Sequence, residues 1–184
     1  MIEAILDMAP RWALLHAPAL LIMVPLFLAP LLAILPSGRL SWLISIFATV
    51  FALFCAMILV GQVQASPVGV VGYDVGNWPV PIGITLRVDA LNSMILLLVA
   101  AIGVLATIFS WPTVKAEIPE RKHPLFYSAF LVCFAGLSGV AITGDAFNLF
   151  VFLEISSIST YVLVALGAGR DRRALPAAFN YLIM

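Results

Sequence analysis

Phe147-Asn148-Leu149-Phe150-Val151-Phe152-Leu153-Glu154-Ile155 holds one carboxylic acid inside an apolar run, far from any flanking charge. An acid at the centre of a membrane-spanning helix costs about 2.5 to 3.5 kcal/mol on insertion scales, so such a group faces a bundle interior or a water-filled path rather than lipid. Glu154 is therefore the leading functional candidate. The helix that carries it starts near Phe147, which places the acid about 10 Å down the axis and inside the hydrocarbon. Phe147, Phe150, Ser157 and Tyr161 fall at helical spacing around Glu154, so one stripe combines the acid with aromatic rings and hydroxyls. Ser156, Ser159 and Thr160 are read as widening that polar sector. Two explanations compete. Glu154 is either a structural acid, neutral or hydrogen-bonded across a helix interface with serines that only aid packing, or a proton carrier whose charge changes during turnover.

The rest of the chain puts this run in a bilayer. Of 184 residues, 64% are hydrophobic and 10% charged, and the mean hydropathy is +1.16, too apolar for a soluble domain of this size. The formal net charge is zero and no basic block is long enough to read as a nucleic-acid footprint, so nucleic acid is not an expected partner. Cys55 and Cys133 lie in apolar runs without a second ligand at metal spacing; they read as packing residues, and no metal, cofactor or redox centre is expected. Neither histidine forms a constellation with Ser or Cys that would suggest nucleophilic catalysis.

A hydrocarbon core about 30 Å thick needs roughly 20 apolar helical residues. Five segments meet that length: Leu14 to Leu35, Trp42 to Val60, Leu91 to Ser110, Leu125 to Ile142 and Phe147 to Leu166. The fold expected is all-α and polytopic, five transmembrane helices plus a truncated sixth from Ala174 to Met184 that covers only about half the hydrocarbon. That short end reads as a fragment or a split gene, with a partner supplying the remainder. The first segment is longer than a signal-peptide core and follows the acids Glu3 and Asp7, so it is read as a retained helix. Pro18, Pro25 and Pro30 should bend it, with neighbouring polar groups satisfying the freed carbonyls. Gly136, Ser138 and Gly139 offer a small surface for close helix approach.

Arg39, Lys115, Arg121, Lys122, Arg170, Arg172 and Arg173 fall on one side if the helices alternate, and only Arg11 and Arg87 on the other. The positive-inside bias then puts the N-terminus on the non-cytoplasmic side of a plasma or inner membrane. The connection from Gly61 to Arg87 is external, with turns at Gly72, Gly76, Pro79, Pro81 and Gly83, a short strand at Ile82 to Val88, and interfacial Tyr73 and Trp78. Asp145 is expected to cap the fifth helix first and to act as a proton antenna second; Asp89 and Asn92 suit the start of the third, with Arg87 paired to Asp89. His123 is read as a solvated loop residue between Lys115 and Pro124, and His16 as interfacial.

The stretch Gly144-Asp145-Ala146-Phe147-Asn148-Leu149-Phe150-Val151-Phe152-Leu153-Glu154-Ile155-Ser156-Ser157-Ile158-Ser159-Thr160-Tyr161-Val162-Leu163 resembles the fifth-helix signature of the antiporter-like proton-conducting subunits. This family comprises the D subunits of Mrp-type cation/proton antiporters and the large membrane subunits of respiratory complex I. Gly83 to Ser93 is similar to its loop into the third helix, and Ala174 to Leu182 to its approach to the sixth. The Gly-Asp-x-Phe-Asn-Leu run with the following Ser-rich turn is nearer to the Mrp D-type chain.

The resemblance implies about fourteen helices with two inverted five-helix repeats that begin at the fourth helix. It divides the chain into residues 1–143, with four helices and an external loop at 61–89, and 144–184, part of the proton-translocating repeat. The family's glutamate maps onto Glu154 and is thought to work with a lysine on the seventh helix, which lies beyond this chain. Many relatives carry a lysine early in the sixth helix, where this sequence has Asn180, which can orient water but supplies no charge. Asn180 reads equally as a packing residue. The function expected is a membrane subunit of a multisubunit cation/proton antiporter, with other membrane subunits, protons and a monovalent cation as partners. Ser157, Tyr161, Asp145 and Asn180 support the proton path. The alternatives are a proton-pumping subunit of NADH-quinone oxidoreductase or a membrane hydrogenase, and a half-subunit that only scaffolds a partner.

Overall fold

The computed structural model of the chain describes residues 10–78, 83–169 and 173–183. Glu3, Asp7, Pro79, Pro81, Ile82, Arg170, Arg172 and Met184, named above, lie outside them. The described chain is almost entirely helical: α1 (Arg11–Ile34), α2 (Gly38–Ala65), α3 (Ala90–Glu117), α4 (His123–Ile142), α5 (Ala146–Leu166) and the shorter α6 (Ala174–Ile183). The first five are long and apolar enough to cross a membrane.

Local chemistry sets the helix starts. Ser37, Asp89 and Asp145 each accept a backbone N–H three residues ahead, from Leu40, Asn92 and Asn148, the usual role of an N-cap side chain. Pro124 sits in the first turn of α4, where its missing N–H is not needed. Asp89 thus caps α3 through Asn92 N, and Asn92 Nδ2 donates to the Arg87 carbonyl. α3 runs seven residues past the expected end at Ser110, because Pro112 is tolerated inside it. Lys115 is accordingly in the last turn of α3, where a cation complements the helix dipole, and not in a loop.

Packing relies on small residues. Ala13, Ala17, Ala29, Ala48, Ala52, Ala56 and Ala135 are buried at the helix contacts, which lets backbones approach in a setting where lipid offers no hydrophobic drive. α4 is the most buried span and α5 the least. α4 touches α1, α2, α3 and α5, whereas the principal neighbours of α5 are α4 and α6.

The three prolines of α1 leave carbonyls without their helical donors. The carbonyl freed by Pro18 is that of Leu14, and Gln62 Nε2 of α2 donates to it at 2.7 Å. Gln62 Oε1 is buried without a partner among the described residues. Ionised Gln62→Glu keeps that orphan acceptor and removes the donor, so at alkaline pH it should lower the thermal stability of the assembled protein by more than Gln62→Leu, which removes both. Equal melting shifts for the two variants would refute this account of α1.

The connection between α2 and α3 carries more structure than one strand. β1 (Val71–Asp74) and β2 (Thr85–Val88) pair antiparallel with Val71 opposite Val88 and Asp74 opposite Thr85. Thr85 Oγ1 donates to Asp74 Oδ1 at 2.8 Å, and the Tyr73 hydroxyl meets His16 Nδ1 at 2.9 Å, tying the hairpin to α1. The far edge of β2 continues onto the start of α5: Leu86 bridges to Thr143, and Gly144 N donates to the Thr85 carbonyl at 2.9 Å.

Candidate functional site

α5 begins where backbone and side chain both fix it. A Cβ at Gly144 would stand 2.9 Å from the Thr85 carbonyl oxygen, so the turn into the helix accepts glycine for lack of space. Next, Asp145 Oδ1 accepts the Asn148 backbone N–H at 2.7 Å and Oδ2 accepts from Asn148 Nδ2 at 2.6 Å. Hydrogen bonds from the Asn148 side chain and backbone hold this carboxyl below its ordinary range. The cap's contribution is present above the ordinary carboxylate value and is lost as pH falls through the lower folded one. Asp145→Ala should cost about 1 kcal/mol, read as a lower melting temperature of the assembly, with Asp145→Asn closer to the parent. An unchanged melting temperature in the alanine variant would show that the cap is dispensable.

One face of α5 lies on α4. Here a Cβ at Gly136 would be 2.8 Å from Ser156 N, and one at Gly139 would overlap the Phe152 ring. Ser156 and Ser159 are buried on this face. Ser156 Oγ donates to the Leu153 carbonyl, Ser159 Oγ to those of Ile155 and Ser156, and Thr160 Oγ1 to that of Ser156. Thr160 also meets Cys133 Sγ at 3.4 Å. Ser156, Ser159 and Thr160 therefore do not extend a polar sector around the acid, because each hydroxyl is satisfied on its own helix and turned into the packing seam.

The opposite face is open. Phe147 and Phe150 are 76% and 62% exposed, Glu154 is exposed, and Ser157 and Tyr161 are half-buried. Among the described residues Glu154 has no hydrogen-bond or ion-pair partner. It sits eight residues into a 21-residue helix, about 12 Å from the hairpin end and deeper than a headgroup layer. The acid is thus not part of the α4–α5 contact.

α6 runs back along α5, and Tyr161 meets Tyr181 edge to face with ring centroids 5.3 Å apart. Glu154 lies seven residues from Tyr161, about 10 Å further along the axis. Asn180, beside Tyr181 and exposed, is therefore well below the acid, and the structure does not bring Asn180 and Glu154 together. Asp145 is separated from Glu154 by nine residues, about 13 Å of helix. Of the candidate group, Ser157 and Tyr161 share the open face with the acid, while Asp145 and Asn180 stand at its two ends.

His123 departs from expectation. It is 3% exposed, its Nε2 is 2.8 Å from the Ile118 carbonyl, and its ring stands edge-on to Trp111. The approach of Gly38, where a Cβ would come within 2.7 Å of His123 Cβ, closes it off from water. Among the described residues no three His, Cys, Asp or Glu side chains gather as metal ligands.

These features define a polytopic helical membrane protein with an exposed acid on α5 that has no partner among the described residues. No protein-family model matches the chain. The N subunit of NADH-quinone oxidoreductase from Desulforudis audaxviator (strain MP104C) is 39% identical over 176 residues, covering 92% of this chain and 33% of that protein. The D subunit of the Na(+)/H(+) antiporter from Alkalihalophilus pseudofirmus is 34% identical over 141 residues, covering 77% and 27%. Two solved structures superpose with a TM-score of 0.77 over 91% of the chain: the membrane-bound sulfane sulfur reductase, an archaeal respiratory membrane complex, at 28% identity and 34% of its chain, and the Mrp complex from Dietzia sp. DQ12-45-1b, at 26% and 31%. The chain belongs to the antiporter-like membrane protein family represented by the D subunits of Na(+)/H(+) antiporters and the N subunit of NADH-quinone oxidoreductase. It spans about a third or less of the length of these curated relatives.

Proposed function

We propose that this chain forms part of a membrane subunit of a multisubunit cation/proton antiporter, and that Glu154 carries protons through it. The observation that carries the reading is the position of Glu154: eight residues into a helix long and apolar enough to cross a membrane, away from the α4 seam, and without a partner among the described residues. An uncompensated carboxylate there is costly, so a second charged group belongs on the open face, and a lysine supplied by other protein fits. A nearby ammonium would pair with the Glu154 carboxylate, and moving it away would leave that charge uncompensated. Opening and closing that pair gates proton uptake. Residues 144–184 then form part of the translocating repeat, which begins with α4, and α1 to α3 support it. Ser157 and Tyr161 line the path beside the acid, and Asp145 acts chiefly as a cap. Asn180 contributes from the opposite end of the open face.

The membrane orientation belongs to this proposal too. Arg39, Lys115, Arg121, Lys122 and Arg173 share one end of the bundle, which is placed in the cytoplasm by the positive-inside bias, with the N-terminus outside. Partners of this chain are other membrane subunits, since the similar Mrp structure is that of a complex, together with protons and a monovalent cation.

A second reading, a proton-pumping component of a redox-driven complex, is favoured by the 39% identical NADH-quinone oxidoreductase chain and by the respiratory sulfane sulfur reductase structure. Neighbouring genes separate the two: cation-antiporter subunits support the first, flavin, iron–sulfur or hydrogenase subunits the second. The test common to both is transport by the reconstituted complete assembly with Glu154 altered, described in the Discussion. A scaffold role would show as Glu154→Ala impairing assembly while the complexes that do form remain fully active.

A further inference from the structure

The Lys/Arg-rich end of the bundle contains a cleft of about 470 Å³ lined by Pro36, Ser37, Gly38, Arg39, Trp111, Lys115, Glu120, Arg121 and His123. Its three cations come from three separate elements: Arg39 from the first turn of α2, Lys115 from the last turn of α3, and Arg121 from the short turn Glu120–Lys122 before α4. All three are exposed, and among the described residues none is ion-paired. Glu120 is the one acid on the wall. The first backbone N–H groups of α2 open at the same place, beyond the N-cap Ser37, and add the positive end of a 28-residue helix. One wall is aromatic. Trp111 packs on Trp42 with centroids 5.4 Å apart, and Trp42 Nε1 donates to the Thr107 carbonyl at 2.9 Å, so both indoles are fixed at the level where tryptophan marks the membrane–water boundary.

We infer that this cleft binds the phosphate headgroup of an anionic phospholipid. A phosphate diester carries one negative charge and acceptor oxygens that guanidinium groups engage in pairs, and basic pockets between transmembrane helices hold such headgroups. Leu40, Leu43 and Phe47, on the turns of α2 that follow Arg39, are exposed and offer acyl chains an apolar surface beside the cleft. A soluble phosphate would gain nothing from that surface. The buried His123 closes the floor as a packed ring held by Ile118. The proposal is independent of the role given to Glu154.

The test is the phospholipid retained by the complete purified assembly, counted by native mass spectrometry in the parent and in Arg39→Gln/Arg121→Gln. Phosphatidylglycerol should be held by the parent and lost from the variant, with retention about fivefold weaker for each cation removed. Arg39→Lys/Arg121→Lys should keep much of it. Equal retention in parent and glutamine variant would overturn the proposal, as would displacement of the lipid by inorganic phosphate or a cross-link from Arg39→Cys to another subunit. If the glutamine variant fails to assemble, the delipidated parent is titrated with phosphatidylcholine vesicles with or without phosphatidylglycerol. Preference for the anionic vesicles supports the site and equal partition rejects it.

Discussion

Glu154→Gln is expected to lower ion-coupled proton transport on the order of a hundredfold in proteoliposomes that contain the complete assembly, while the amount of assembled complex stays at the parent level. The magnitude follows from the role proposed for Glu154, since the amide can no longer bind and release a proton. The amide has nearly the shape of the acid and is neutral, so it carries none of the ionised carboxylate's insertion cost. Assembly should therefore not suffer. Glu154→Asp keeps the titratable group on a side chain one methylene shorter and should retain part of the activity. This ordering, parent above aspartate above glutamine, is what separates proton carriage from a merely structural acid, for which glutamine would serve as well as glutamate. Transport by the glutamine variant at the parent rate would remove Glu154 from the mechanism.

The second large effect is expected at Gly136. A Cβ there would come within 2.8 Å of Ser156 N, 2.9 Å of Ser156 Cβ and 3.0 Å of Ser156 Cα. Two of these are backbone atoms of α5, which no side-chain rotation can move aside. Gly136→Val must therefore push α5 away from α4, and overpacking of this kind costs about 1 to 3 kcal/mol. The rest of α5 has little to hold it, since α6 is its other principal neighbour. The variant should show a lower melting temperature and a reduced yield of assembled complex. Gly139→Ala is a second probe of the seam: its Cβ meets the Phe152 ring at its Cγ root, so Phe152 must leave its rotamer and a loss is expected here too. A melting temperature for Gly136→Val equal to that of the parent would mean that this seam does not set the position of α5.

The helices are legible in the sequence because one physical ruler governs them: an apolar run must be about 20 residues long to cross the hydrocarbon. Their ends are less so. Pro112 reads as a breaker in water, yet α3 continues through it to Glu117, and that moves Lys115 from a loop onto a helix. β1 is hidden because Val71-Gly72-Tyr73-Asp74 is too short to show alternation; only its pairing with Thr85–Val88 makes it a strand. At the candidate site, helical spacing alone places Phe147, Phe150, Glu154, Ser157 and Tyr161 on one side. Spacing does not reveal which side α4 takes, so it groups Ser156, Ser159 and Thr160 with the acid although their hydroxyls turn to carbonyls of their own helix. The burial of His123 depends on Gly38, 85 residues away in sequence, and no local pattern encodes it. Gln62 is invisible for the same reason, although Pro18 announces that some donor is needed.

The junction of Gly144 with Thr85 bears on how the acid's helix can move. That hydrogen bond and the Leu86–Thr143 bridge anchor one end of α5 to the β1–β2 hairpin, while its other end passes into a short turn at Gly167–Gly169. A piston stroke of α5 along its axis would tear this anchor and cost backbone hydrogen bonds, whereas a small swing about it leaves them intact. The depth of Glu154 in the membrane is consequently metered by the hairpin. Any alternation in what the carboxyl meets has to come from tilting of α5 or from motion of whatever lies across its open side.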